Sequence, residues 1–229
     1  MFFIDPFKFP NFSPPDLTGL QMWFDTTQET GYSNEDAVTT WQDWSGNNRD
    51  ATAPGNEEPL YNTNILNGKA GLWFDLDTAN MTTGYNSGAT FTMYLVEKGY
   101  SSVAFARSVN SLDTDPGDCV SISPREDGNN AYVMGNVSSY QATMGGPHYC
   151  CLKSNGSTKY YWVDGIDRGS ASNSNSLSNI CFGACNTYYG SEGANAHLFE
   201  FILYNTSHSD TDRIKVQDYL ASKWAINYG

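Results

Sequence analysis

The sequence predicts an all-β fold, a sandwich of two antiparallel sheets with one short helix at its C-terminal end. Short apolar or alternating runs recur along the chain between turns rich in Gly and Asn. Aromatic residues make up 14% of the 229 residues, and strands use such side chains to pack a half-buried face. Helical spacing occurs only near the C-terminus. A chain of this length can bury a single core, and we expect residues 16–229 to form one domain.

The C-terminal segment predicts the last strand and the helix. Residues 197–205 are apolar at nearly every position, which is typical of a strand covered on both faces. Ser209 can cap a helix, and Asp212 follows three positions later as in a capping box. Helical spacing then relates Val216, Tyr219, Leu220 and Trp224. Residues 213–224 are therefore predicted to form an amphipathic helix.

Turn residues separate the other predicted strands. The clearest hairpin turns at Asn155-Gly156, between the apolar segments 149–152 and 159–163, and a second turn follows at Asp164-Gly165. No repeat of fixed period occurs in the sequence, which argues against a propeller or a solenoid.

Both ends of the chain resemble the concanavalin A-like, laminin-G-like jelly-roll domains of lectins and glucanases. The C-terminal part carries Glu200-x-x-x-Tyr-Asn205, then Ser209-Asp210, then a helix that ends Tyr219-Leu-x-x-Lys-Trp224. Residues 17–25, 38–48 and 66–75 resemble the opening of the same family, with its Trp-x-Asp-x-Ser-Gly-Asn and Leu-Asn-Gly-Lys motifs. This resemblance brackets residues 16–226 and implies a jelly roll. It also implies that Trp41 and Trp44 belong to the core.

The composition of the chain argues against two classes of protein, those that bind nucleic acid and those that insert into a membrane. The formal net charge is −13, and the 12 basic residues are spread thinly, whereas nucleic-acid binding needs a concentrated cationic surface. No apolar run approaches the roughly 20 residues of a membrane-spanning helix. We expect neither nucleic-acid binding nor membrane insertion.

The first fifteen residues predict an extended arm. They lack the features of a secretory signal and contain prolines and an apolar, mostly aromatic strip, formed by Phe2, Phe3, Ile4, Phe7, Phe9 and Phe12. Such an arm either folds back over its own sandwich or docks on another protein. It resembles the arms of tailed-bacteriophage virion proteins, whose lectin-like domains decorate capsids or form fibres. The resemblance implies a structural, homo-oligomeric component of the virion surface, with capsid or tail proteins as partners.

The sequence offers no catalytic constellation. Glucanases of the resembling fold carry Glu-x-Asp-x-x-Glu, which places two carboxylates in one cleft, and this triplet is absent from the chain. Glu200 has no carboxylate two or four positions away, so we expect a paired structural carboxylate there. The three histidines, at 148, 197 and 208, have no recognisable nucleophile partner. The protein is predicted not to be an enzyme.

The five cysteines are expected to be buried free thiols that behave as small hydrophobic side chains. They stand at Cys119, Cys150, Cys151, Cys181 and Cys185. A zinc site is the alternative interpretation, but the Cys-x-x-x-Cys spacing on a predicted strand disfavours it.

Two loops could bind ligands. Asp113, Asp115 and Asp118 place three carboxylates in one loop, the kind of oxygen ligands that calcium prefers, although Asp-Pro-Gly is also an ordinary turn. We expect no other cofactor. A second loop sets aromatic rings beside hydrogen-bonding groups, as a sugar platform requires, at Asn186, Tyr188, Tyr189 and Glu192. The alternative function is therefore a glycan-binding adhesin, on a phage tail or a cell surface, that binds a host surface glycan.

Overall fold

The computed structural model describes residues 12–75, 78–100, 108–111, 120–123, 132–134, 146–183 and 195–227. The described residues form two antiparallel sheets, a 3-10 helix at Pro14–Asp16 and one α-helix, α1, at Asp210–Trp224. This architecture confirms the predicted all-β sandwich with a C-terminal helix. No helix within the described ranges is long and apolar enough to cross a membrane.

The described strands divide between a large sheet and a small sheet. In chain order they are β1 (Leu20–Asp25), β2 (Asp36–Ala37), β3 (Thr40–Trp41), β4 (Ala51–Thr52), β5 (Leu60–Leu66), β6 (Lys69–Phe74), β7 (Asn80–Thr82), β8 (Thr90–Gly99), β9 (Val109–Ser111), β10 (Ser121–Ser123), β11 (Tyr132–Met134), β12 (Pro147–Asn155), β13 (Thr158–Val163), β14 (Ile166–Ser172), β15 (Ile180–Gly183) and β16 (Ala196–Tyr204). The large sheet has the order β14-β13-β12-β8-β16-β6-β5-β2, and β1 also pairs with β16. The small sheet has the order β11-β10-β9-β15-β7-β4-β3.

Both predicted hairpin turns are present. The Asn155 side chain accepts hydrogen bonds from the backbone of the turn that joins β12 to β13, including one of 2.8 Å from the Thr158 amide. Between β13 and β14, Asp164 and Gly165 both have positive φ, at 49° and 78°. Two consecutive positive φ angles are the geometry of a type I′ turn, whose twist suits two adjacent strands.

The main core lies between the two sheets. Its aromatic centre joins Phe24 and Phe201 of the large sheet to Trp41 and Phe182 of the small sheet. The Phe182 ring lies 5.1 Å from Phe201 and 5.4 Å from Trp41. Trp41 is thus a core residue as expected, whereas Trp44 is only partly buried.

A second core forms where α1 packs on the outer face of the large sheet. The helix begins as predicted, because the Asp212 amide donates to the Ser209 hydroxyl at 3.1 Å. Its buried face includes Val216, Leu220 and Trp224. Every residue of β16 is buried, because one face of this strand contacts the small sheet and the other lies under the helix.

The described end of the predicted arm packs on its own sandwich. The Phe12 ring lies 5.7 Å from the Tyr219 ring of α1, and the buried Pro14 accepts a hydrogen bond of 2.9 Å from the Tyr204 hydroxyl. The remaining arm residues Phe2, Phe3, Ile4, Phe7 and Phe9 lie outside the described residues. Their docking on another protein stays a prediction.

The cysteines divide into two kinds. Cys150 and Cys151 are buried free thiols, and burial raises the pKa of Cys151 to about 12. The prediction of a free thiol is wrong for Cys181, which is disulfide-bonded. Bridging depends on the distance between Cβ atoms in the fold, which spacing along the sequence does not reveal. Cys119 and Cys185 lie outside the described residues.

Candidate functional site

The residues predicted to bind ligands lie outside the described part of the structure. They are Asp113, Asp115 and Asp118 for calcium, and Asn186, Tyr188, Tyr189 and Glu192 for a glycan. Within the described ranges, no group of three His, Cys, Asp or Glu side chains is placed to hold a metal ion.

Glu200 is a buried carboxylate surrounded by hydrogen-bond donors. Its Oε1 accepts from Trp23 Nε1 and from the Tyr219 hydroxyl, each at 2.8 Å. Its Oε2 accepts from Trp224 Nε1 at 2.6 Å and pairs with Lys223 Nζ at 2.9 Å. Desolvation by burial raises the pKa of Glu200, and the ammonium of Lys223 opposes this rise. The carboxylate joins β1, β16 and α1, which is the paired structural role that the sequence predicted for it.

The outer face of the large sheet carries a row of side chains beyond the end of α1. The strand register sets Lys98 of β8 opposite His197 of β16, His197 opposite Trp73 of β6, and Trp73 opposite Leu60 of β5. Trp73 points away from the sandwich, because its neighbours Leu72 and Phe74 belong to the core between the sheets. Adjacent strands lie ~4.8 Å apart, so the row is ~14 Å long.

Tyr100 and Asn62 complete this surface, which we call the aromatic platform and define as Asn62, Trp73, Lys98, Tyr100 and His197. His197 Nδ1 lies 3.0 Å from the Tyr100 hydroxyl, and Nε2 lies 2.9 Å from Asn62 Oδ1. Burial lowers the pKa of His197 to about 4, and the charge of Lys98 adds to this effect. The imidazole is therefore neutral near pH 7. Its Nε2–H donates to Asn62, and its Nδ1 accepts from Tyr100.

The indole of Trp73 is held in place and partly exposed. Its ring centroid lies 4.8 Å from His197 and 5.3 Å from Tyr100, the latter in an edge-to-face arrangement. His197 is itself fixed through both ring nitrogens. The packing leaves the indole little freedom, so a ligand that stacks on it orders few side chains.

Two hydrogen-bond donors of the platform make no hydrogen bond within the described structure. Because Asn62 directs its oxygen to His197, its Nδ2 points elsewhere, and this nitrogen makes no hydrogen bond with the described residues. The Lys98 ammonium lies 5.2 Å from the Tyr100 ring centroid and makes no ion pair in the described structure. Both side chains are partly exposed. The platform thus combines a flat apolar ring with donors available to a ligand.

Sequence reasoning missed the platform because its members are far apart in the chain. Asn62 and His197, which are in hydrogen-bond contact, are 135 positions apart. The available signal was the alternation around Trp73, where Leu72 and Phe74 occupy the core face and leave the indole on the opposite one. Asn195, the first described residue after 184–194, lies beside the platform. Its carbonyl accepts a hydrogen bond of 2.8 Å from the Tyr100 amide.

No protein family and no curated protein matches the sequence, but solved structures match the fold. Domain 4 of AbnA, a GH43 extracellular arabinanase from Geobacillus stearothermophilus in complex with arabinotriose, has a TM-score of 0.66 at 11% identity, and the match covers 86% of this chain and 98% of that one. Trypanosoma rangeli sialidase in complex with sialic acid has a TM-score of 0.56 at 12% identity, covering 90% of this chain. The binding domain of Paraclostridial Mosquitocidal Protein 1 has a TM-score of 0.58 at 12% identity, also covering 90%.

The chain spans 33% of the sialidase and 52% of the mosquitocidal binding domain, whereas it spans nearly all of the arabinanase domain. Identities this low show the fold alone. The chain is thus similar in fold to β-sandwich domains of proteins that bind or act on carbohydrates or that bind a receptor.

Proposed function

We propose that this protein is a carbohydrate-binding domain that holds a glycan on the aromatic platform. The observation that carries the proposal is the partly exposed indole of Trp73, fixed by His197, on a surface that also carries the unused donors of Asn62 and Lys98. The apolar face of a sugar ring stacks on such an indole, while its hydroxyl groups accept hydrogen bonds from neighbouring donors. The platform offers both interactions side by side.

The fold comparisons support this proposal. The arabinanase domain was solved with arabinotriose, and its match with this chain extends over 98% of that domain. The sialidase was solved with sialic acid. Because one fold can host several functions, the platform and not the fold determines the proposal.

We further propose that the protein binds without catalysis. Glycoside hydrolysis requires two carboxyl groups that face the bond to be cleaved. Glu200, the acid that sequence analysis considered, directs both of its oxygens at donors of its own fold. Incubation with arabinan, galacturonan and sialylated oligosaccharides, followed by product chromatography, tests this point. Turnover of any of these glycans by the wild-type protein would contradict it.

A location on the virion surface remains our proposal, with the glycan-binding platform directed at the host. Phe12 and Pro14 pack on the sandwich itself, so attachment through the arm would have to use residues 1–11. The disulfide at Cys181 supports an oxidising location, and virion and cell surfaces are of this kind. Quantitative mass spectrometry of purified particles tests the proposal, because absence from the particles would overturn it.

A glycan array tests carbohydrate binding. We expect the wild-type protein to bind a defined subset of glycans and Trp73→Ala to lose at least tenfold in affinity, since stacking on one indole contributes on the order of 1.5 kcal/mol. Tyr160→Ala is the matched control, because Tyr160 is a partly exposed aromatic residue on the same sheet face, stacked on Trp162 and away from the platform. Equal binding by wild type and Trp73→Ala would refute the proposal.

A further inference from the structure

We infer that the aromatic platform prefers glycans that carry a carboxylate, such as uronic or sialic acids, and that Lys98 pairs with this group. The inference rests on the proposed function and names the class of glycan. It starts from the position of Lys98, directly opposite His197 in the strand register and 5.2 Å from the Tyr100 ring.

Lys98, like Lys69, makes no ion pair in the described structure of this acidic chain. The chain has 25 acidic and 12 basic residues, so partners for a lysine are abundant. Other described cations use them, as in the ion pairs Lys153–Asp210, Lys215–Asp212 and Lys223–Asp25. The ammonium of Lys98 is therefore available to an anion supplied from outside.

Two described acids stand near platform residues in the sequence, and neither pairs with Lys98. Glu97 precedes Lys98 but points to the opposite face of the sheet, where it is buried. Asp75 follows Phe74 at the end of β6, and it accepts hydrogen bonds from the Thr78 and Ala79 amides at 2.9 and 2.8 Å. His197 is neutral because burial lowers its pKa to about 4. A carboxylate at the platform would therefore meet the unpaired ammonium of Lys98.

The spacing of the row fits a carboxylated sugar. Lys98 and Trp73 stand two strands apart, ~10 Å between backbone positions, and the flexible stem of lysine can cover a large part of that distance. A sugar ring stacked on Trp73 would thus place its own carboxylate, or that of the next residue, within reach of the ammonium. A charge-assisted hydrogen bond is stronger than one to a neutral hydroxyl.

Lys69 provides a matched control. It lies on the same strand and the same sheet face as Trp73, it makes no ion pair in the described structure, and its ammonium lies over the Trp224 ring at 5.8 Å. Replacing Lys69 with Gln removes the same charge as Lys98→Gln but leaves the platform intact. Any general effect of net charge would be equal in the two variants.

The experiment compares acidic and neutral forms of the same sugars by isothermal titration calorimetry. The probes are oligogalacturonate against its methyl ester, and 3′-sialyllactose against lactose, with wild type, Lys98→Gln and Lys69→Gln. We expect the acidic form of at least one pair to bind wild type about five- to tenfold more tightly, a factor in the range of one charge-assisted hydrogen bond. Lys98→Gln should remove this preference, whereas Lys69→Gln should stay within twofold of wild type.

Three outcomes would overturn the inference. Equal affinity for the acidic and neutral forms would do so, and binding that is lost in Trp73→Ala would then still support the proposed function. Equal losses in Lys98→Gln and Lys69→Gln would show only a general attraction of charges. Failure of wild type to bind any of the four probes would also reject it, while the glycan array decides separately whether the platform binds other sugars.

Discussion

Trp224 at the end of α1 donates its indole hydrogen to Glu200 of β16, with 2.6 Å between Nε1 and Oε2. The neighbouring Lys223 pairs with the other buried acid of this region, Asp25 of β1, at 2.6 Å. The motifs Glu-x-x-x-Tyr-Asn and Lys-Trp near the C-terminus therefore meet in one buried network. This contact fixes the helix on the outer face of the large sheet and determines how much of that face stays open for the platform.

Replacing Glu200 with Gln should destabilise the protein. The amide of Gln would place an NH₂ group against donors that now share a carboxylate. Lys223 would keep its ion pair with Asp25 but lose the one with residue 200. Breaking a buried ion pair costs on the order of 3 kcal/mol in the free energy of unfolding. Denaturant unfolding of wild type and Glu200→Gln measures the difference. Glu35→Gln, at an exposed acid, is the control and should change stability by less than ~0.5 kcal/mol.

Glu97 should make the protein more stable in mild acid than in mild base. Its carboxyl is buried between the sheets, Oε2 has no hydrogen-bond partner among the described residues, and desolvation raises its pKa to about 7. Ser108 and His148 partly oppose this rise. Between pH 4.5, the ordinary pKa, and about 7, unfolding releases a proton, so the free energy of unfolding falls as pH rises and stays low above that window.

Glu97→Gln cannot ionise, so it should lose this decline and exceed wild type in stability at pH 8 by about 3 kcal/mol. Urea unfolding at pH 5 and pH 8 measures the effect. Glu58→Gln, at a partly exposed acid, should keep the wild-type profile. Parallel profiles for wild type and Glu97→Gln would mean that the buried carboxyl keeps its ordinary pKa.

Two buried histidines should weaken the fold in acid. Burial lowers the pKa of both His197 and His208 to about 4. As pH falls from 6.5 to about 4, these histidines become protonated in the unfolded chain but stay neutral in the folded protein, so the free energy of unfolding falls. His197→Gln should reduce the slope of stability against pH by up to one proton in this window, whatever its effect on absolute stability. An unchanged slope would contradict the lowered pKa.

Deleting residues 2–11 should abolish particle attachment and leave the fold intact. This deletion keeps the Phe12 contact with Tyr219 and the hydrogen bond from Tyr204 to Pro14. A longer deletion, of residues 2–15, removes both contacts and should lower the free energy of unfolding by about 2 kcal/mol. Co-sedimentation with particles, paired with thermal unfolding, separates the two effects. Full attachment of the shorter variant would reject the role of the arm.

The fold was predictable because its signals are local. Asn155-Gly156 and Asp164-Gly165 mark hairpins through backbone conformations that few other residue pairs adopt, and Ser209 marks the start of the helix. The continuous apolar run of β16 predicted a strand covered on both faces. Even the structural role of Glu200 followed from the sequence, where no carboxylate stands two or four positions away from it.

The platform was not predictable because it depends on strand order. Lys98, His197 and Trp73 become neighbours only when β8, β16 and β6 pair side by side in one sheet. The disulfide at Cys181 escaped prediction for the same reason, since distance in the fold decides it. The loop at Tyr188 and Tyr189 was predicted to bind a glycan because the sequence shows its composition. The sequence does not show which residues of different strands come into contact.

The most direct test of the glycan-binding platform is a ¹⁵N–¹H titration that follows the six tryptophan indoles with the glycan that binds most tightly on the array. Only an exposed indole can report stacking, and Trp41 and Trp224 are fully buried. We predict that the Trp73 indole signal shifts on binding and that the signals of Trp41 and Trp224 stay in place. Saturable binding that leaves the Trp73 signal unmoved would contradict the account and locate the glycan elsewhere on the protein.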